Sequence, residues 1–157
     1  MIQTLGEEMA ETHSANVTEE TPQDTWSGLK NTTDAVLVDV RTKPEWSFTG
    51  IPDLSALGKK VILLEWRQYP NMSVNESFVA HLLEQLGGSA PSKIYFMCRS
   101  GVRSMEAAHV VTEALSAQGL STMCVNVQEG FEGDLNPDRQ RGLTNGWKAR
   151  GLAWGQT

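Results

Sequence analysis

The stretch Ile94-Tyr95-Phe96-Met97-Cys98-Arg99-Ser100-Gly101-Val102-Arg103-Ser104-Met105-Glu106-Ala107-Ala108 decides how the rest of the chain is read. An apolar run rich in β-formers ends at a cysteine, a few short or basic residues follow, and a helix-forming run begins. Cys98 therefore sits where a strand stops and a helix is about to start. The first turn of a helix leaves backbone N–H groups unpaired, so such a junction is a cradle for an anion, and a thiolate is one. The helix end, hydrogen bonds from the loop and the charges of Arg99 and Arg103 all favour the ionised thiol. Gly101 suits a loop that needs positive φ or close backbone approach.

Outward from this loop, strand and helix patterns alternate. Upstream, residues 74–86 read as a helix with Phe78, Leu82, Leu83 and Leu86 on one face and Gly87-Gly88 as its stop. Downstream, 104–118 read as a helix presenting Ala108, Val111 and Leu115 to a sheet, closed by Gly119. Residues 35–40 are almost continuously apolar, as in strands covered on both faces of a parallel sheet. Residues 60–64 and 122–127 add two more strands, and Thr21-Pro22-Gln23-Asp24 opens a short helix to about Lys30 with a threonine cap and a proline in the first turn. The pattern predicts an α/β domain with a mostly parallel central sheet flanked by helices. Residues 1–20, acidic and Ser/Thr-rich without apolar periodicity, read as a flexible tail, and 21–157 as the folded domain.

At 157 residues the chain has room for one domain with a proper core. A net charge of −6 and a pI near 5.0 argue against nucleic acid or an anionic membrane as partner, since either needs a basic face. Two cysteines are too few for a disulfide framework, and bridging them would consume the thiol that the loop is expected to expose; a reducing, cytoplasmic location is expected. The N-terminal residues lack the basic region and apolar core of a signal peptide and no apolar run reaches membrane length, so neither a leader nor a membrane span is expected. Cys124, inside an apolar strand, reads as an inert core residue. His81 has no second ligand at metal spacing, so no metal is expected. Oligomeric state has no signature in the sequence.

The segment Cys98-Arg99-Ser100-Gly101-Val102-Arg103-Ser104 resembles the active-site loop of the rhodanese family, whose members carry Cys-x-x-Gly-x-(Arg/Thr)-(Ser/Thr). A second motif of that family, Asp-Val-Arg-x-x-x-Glu-(Trp/Tyr), matches Asp39-Val40-Arg41 followed by Glu45-Trp46. The resemblance runs from about Thr21 onward and implies a three-layer rhodanese-like domain. The C-terminal Gly146-Trp147 and Gly151-Leu152-Ala153-Trp154 resemble the ending of many bacterial single-domain relatives, with Ala153 where proline is usual, and should pack back onto the domain. Gly50-Ile51-Pro52 lacks the histidine common there.

The resemblance implies a sulfurtransferase. Cys98 would attack the outer sulfur of thiosulfate or a persulfide, carry it as a Cys98 persulfide, and yield it to a thiol or cyanide, with no metal or organic cofactor. Arg99, Ser100, Gly101, Val102 and Arg103 would form the binding loop, the two arginines attracting an anionic donor. Asp39 and Arg41 read as an ion pair bracing the pocket, or else Arg41 shapes it; Trp66 is either core or pocket wall. A thiol phosphatase or arsenate reductase is the enzymatic rival, but phosphatases need Cys-x5-Arg, and the sixth residue after Cys98 is Ser104. A sulfur relay or partner-binding rhodanese module is the rival outside catalysis.

Overall fold

The computed structural model describes residues 17–157. In chain order they form β1 (Val17–Glu20), α1 (Pro22–Asn31), β2 (Val36–Asp39), α2 (Lys43–Thr49), β3 (Ile51–Pro52), a 3-10 turn (Ser55–Leu57), β4 (Ile62–Leu63), β5 (Arg67–Gln68) and β6 (Ser73–Val74). There follow α3 (Phe78–Gln85), β7 (Lys93–Met97), α4 (Val102–Ala117), β8 (Met123–Val127), α5 (Gly146–Ala149) and β9 (Trp154–Gly155).

The central sheet has five strands in the order β1-β8-β7-β2-β4, all parallel. β7 lies in the middle, and Ile94, Tyr95, Phe96 and Met97 are all fully buried because both faces of the strand are covered. Successive side chains alternate between the faces. Ile94 and Phe96 pack with Phe78 and Leu82 of α3 and with Ala107, Ala108, Val111 and Leu115 of α4. Tyr95 and Met97 pack on the other side with Leu29 of α1 and Trp147 of α5. Helices, sheet, helices make the three layers that the sequence resemblance implies, and the loop after β7 opens at the carboxyl end of the parallel strands, where such sheets place ligands.

Three departures from the sequence reading shape the domain. Order starts before Thr21: Val17–Glu20, assigned to the tail, form an edge strand on β8 in the register Val17↔Cys124 to Glu20↔Val127. Four residues are too few for a periodic signal, and Glu20 is held by Lys93 (2.6 Å) and Tyr95 (3.2 Å), partners invisible in local sequence. The remainder of the expected tail lies outside the described residues. α3 starts at Phe78 because Ser73–Val74 are drawn into a hairpin with β5. α4 starts at Val102, directly after Gly101, whose φ of 119° is open to glycine and strained for other residues. Arg103 and Ser104 thus belong to the first turn of the helix.

The C-terminal segment packs back as expected. Trp147 is fully buried, edge-on to Trp26 at 6.0 Å, with its indole N–H donated to the Ala153 carbonyl at 2.8 Å, and β9 pairs antiparallel with β3. Among the described residues no helix is long and apolar enough to cross a membrane.

Candidate active site

Cys98 is the first residue past β7. Its Sγ accepts the Gly101 N–H at 3.1 Å and lies 3.2 Å from Ser104 Oγ. Both partners exist because α4 begins at once after Gly101: a tight turn brings the Gly101 amide back over the sulfur, and the first helical turn brings Ser104 beside it. Two sequence expectations are corrected. The sequence predicts an exposed thiol in a cradle of amides, whereas Cys98 is 1% exposed, packed in the same cluster as Trp66 and Ala107. Among the described residues the Gly101 N–H is the loop amide that reaches it.

The arginines do not act as a pair. Arg99 is exposed on the loop. Arg103 turns to Glu45 of α2 in a two-pronged ion pair, Nη1–Oε1 2.6 Å and Nη2–Oε2 2.9 Å, with side chains 15% and 21% exposed. Glu45 Oε1 also accepts from the backbone and hydroxyl of Thr42, closing a capping box on α2. Burial alone would push the Glu45 carboxyl up, but the hydrogen bonds and charge of Arg103 carry it below the ordinary value. Burial likewise opposes the Arg103 charge, and the Glu45 bonds outweigh it and raise the guanidinium's pKa. The motif around Glu45 and the motif around Cys98 are therefore two halves of one contact.

Asp39 and Arg41 form the brace and not a pocket wall. Both are fully buried; Arg41 Nε and Nη2 reach Asp39 at 3.0 and 2.7 Å, and further donors go to Thr49 Oγ1 (2.7 Å) and the Gly50 carbonyl (2.8 Å). The guanidinium also lies 4.2 Å from the centre of the Phe131 ring. Of the two readings of Trp66 the core one holds: it is 6% exposed, edge-on to Phe78, with its N–H donated to Glu106. Ser100 and Gly101 are half-buried and Val102 is 72% exposed. With Glu19, Met105 and Asn126 they line a cavity of about 480 Å³ on the β1 side of the loop, and Cys98 is not among its lining residues.

Sequence reasoning missed two supports of the loop. Residues 130–133 clamp it from behind: Phe131 N–H donates to the Cys98 carbonyl (2.8 Å), and the Glu132 and Gly133 amides donate to that of Arg99 (3.0 and 3.1 Å). Gly130 makes this approach possible, because a Cβ there would lie 2.5 Å from the backbone of Cys98 and Arg99. Asn126 is the other. It is 2% exposed and accepts the Ser104 hydroxyl at 2.5 Å, while its amide group donates to the Gly101 carbonyl (3.1 Å) and to Glu19 (3.3 Å). Its one mark in the sequence is a lone amide in the otherwise apolar run 123–127, which by itself names no partner.

A family model described as "Rhodanese-like domain" matches residues 21–136. The chain belongs to the rhodanese-like domain family. An uncharacterized protein of Rickettsia conorii, RC0915, is 38% identical over 121 residues, covering 77% of this chain and 83% of that one. The crystal structure of Rv0390 from M. tuberculosis superposes with a TM-score of 0.76 at 40% identity, covering 89% of this rhodanese-like chain and 98% of its own. The solution structure of a polysulfide-sulfur transferase homodimer from Wolinella succinogenes has a TM-score of 0.54 at 18% identity over 99% of this chain and 90% of that one. At that identity the likeness is one of fold.

Proposed function

We propose that this rhodanese-like domain is a sulfurtransferase in which Cys98 carries a sulfane sulfur between a donor and a thiophilic acceptor. The observation that carries the reading is the immediate surroundings of Sγ: a Gly101 amide at 3.1 Å, the Ser104 hydroxyl at 3.2 Å, and an Arg103 whose guanidinium is bound to Glu45. A thiol phosphatase needs an arginine free to take two phosphoryl oxygens. Here the arginine falls one residue early and its fork is occupied, which favours sulfur over phosphorus as the transferred group.

In the proposed cycle the Cys98 thiolate attacks the outer sulfur of thiosulfate or of a persulfide. A bond forms between Sγ and that sulfur, and the donor's own S–S bond breaks with its electron pair leaving on sulfite or on a thiolate. A thiolate or cyanide then attacks the terminal sulfur and returns the electron pair to Sγ. The Gly101 amide, already directed at Sγ, faces the charge as it returns to the sulfur at the end of the cycle. Because Cys98 is 1% exposed, attack requires a local opening of the loop that admits the donor to Sγ. The two cysteines are both unpaired, which fits work in a reducing compartment such as the cytoplasm.

A second reading, a sulfur relay fed by a persulfide of another protein, draws support from the neutralised Arg103: with its charge spent on Glu45, one of the two expected attractions for the thiosulfate dianion is weakened. Thiocyanate production from thiosulfate and cyanide tests the first reading, with Cys98→Ser as control. Production that requires Cys98 supports catalysis; production that survives Cys98→Ser overturns the mechanism. Absence of turnover together with persulfidation of Cys98 by a cysteine desulfurase assigns the relay.

A further inference from the structure

The Ser104 hydroxyl has two neighbours and one proton. Its oxygen lies 2.5 Å from Asn126 Oδ1 and 3.2 Å from Cys98 Sγ, and a single O–H cannot serve both at once. The orientation of the Asn126 amide decides which it serves. Its Nδ2 faces two acceptors, the Gly101 carbonyl at 3.1 Å and the Glu19 carboxylate at 3.3 Å, so a flipped amide would set oxygen against oxygen twice. Oδ1 must then point at Ser104 and claim its proton. What Ser104 offers the sulfur is a lone pair, which suits an S–H and not a thiolate.

We propose that Asn126 is a positioning residue that, by holding the Ser104 hydroxyl proton away from Cys98, keeps the resting thiol protonated and sets the pH at which it becomes reactive. Ionisation releases the thiol proton to solvent. Ser104 then turns its O–H to the thiolate, and Asn126 Oδ1 is left without that donor. Charged groups around the thiol are otherwise mostly cancelled in pairs. Asp39 at the end of β2 is bound by Arg41, Glu45 of α2 by Arg103, Glu106 of α4 by Arg67, and Glu129 after β8 by Arg150. Glu19 of β1, on the Asn126 amide, together with exposed Arg99 and half-buried Glu132 behind the loop, completes the set. With the strong charges paired and the Gly101 amide already on the sulfur, the direction of one hydroxyl proton is a lever that a single side chain, Asn126, sets.

The inference rests on Cys98 being the nucleophile, but its test reads the thiol itself and does not need sulfur transfer. The rate of alkylation of Cys98 by iodoacetamide is followed across pH in the full-length protein, with the modified peptide quantified by mass spectrometry so that Cys124 does not interfere. Asn126→Ala frees the Ser104 proton for the thiolate and is expected to move the midpoint down by about one pH unit, a roughly tenfold faster reaction below the midpoint. Asn126→Leu, which refills the space, should do the same if the alanine variant does not fold. In a Ser104→Ala background the downward movement should vanish, because the proton being redirected is gone. A higher plateau at alkaline pH with an unmoved midpoint means that Asn126 only props the loop, and a shift that persists without Ser104 means that the hydroxyl is not the intermediary; either result overturns the proposal. Lack of sulfur transfer in a protein that shows the expected shifts would instead count against the sulfurtransferase reading alone.

Discussion

Replacing Glu45 with glutamine leaves the shape of the Arg103 contact and removes its charge. The pair is about four-fifths buried, with 15% and 21% of the side chains exposed, and it is two-pronged at 2.6 and 2.9 Å. Exposed ion pairs contribute about 0–1 kcal/mol, and breaking a buried one costs about 3–5 kcal/mol. Glu45→Gln should fall between, at about 2 kcal/mol near neutral pH, or about 4–8 °C in Tm for a chain of this length. The sign with pH follows from the carboxyl, which the Arg103 bonds, against the upward push of burial, hold below its ordinary value of 4.5. Such a group stabilises the fold fully above its unfolded value and loses that contribution as pH falls through its folded one. The gap between wild type and variant should therefore be full at neutral pH and close progressively in acid. Urea unfolding followed by tryptophan fluorescence at several pH values measures it. A gap that is absent at neutral pH, or unchanged well below the carboxylate range, would refute the claim that this contact ties the two motifs together.

Gly130→Ala places a Cβ 2.5 Å from the backbone of Cys98 and Arg99 at a φ of 66°; it should destabilise by at least about 2 kcal/mol in urea unfolding and slow alkylation or sulfur loading of Cys98 by displacing the loop. Arg41→Ala leaves Asp39 buried and unpaired, with an expected loss of about 3–5 kcal/mol by the same measurement. Cys124→Ser should cost about 1–3 kcal/mol for a buried hydroxyl and leave transfer activity almost unchanged, since burial pushes that thiol's pKa up and keeps it out of the chemistry; steady-state thiocyanate assays check the second half.

The parts of the fold that were legible are those whose signal is local. Ile94–Met97 is apolar at every position because both faces are covered, and the glycine three residues past Cys98 marks the turn that starts α4. What was not legible depends on partners distant in sequence. Val17–Glu20 become a strand only because β8 supplies a ladder, and two glutamates in four residues look like tail until Lys93 and Tyr95 are seen to hold one of them. Glu45 and Arg103 each stood in a recognisable motif, yet nothing in the spacing said that the arginine would be bound to the glutamate. Asn126 and Gly130 were hidden for the same reason: a single amide in a core strand and one glycine among several carry no label until the loop they support is folded against them.

Incubation of the protein with thiosulfate and, separately, with inorganic polysulfide, followed by mass spectrometry of the intact chain and its peptides under non-reducing conditions, tests the central claim most directly. One added sulfur atom on Cys98, removed by cyanide, is the predicted result. A chain that stays unmodified with both donors, or one that takes up sulfur on Cys124 instead, would contradict it.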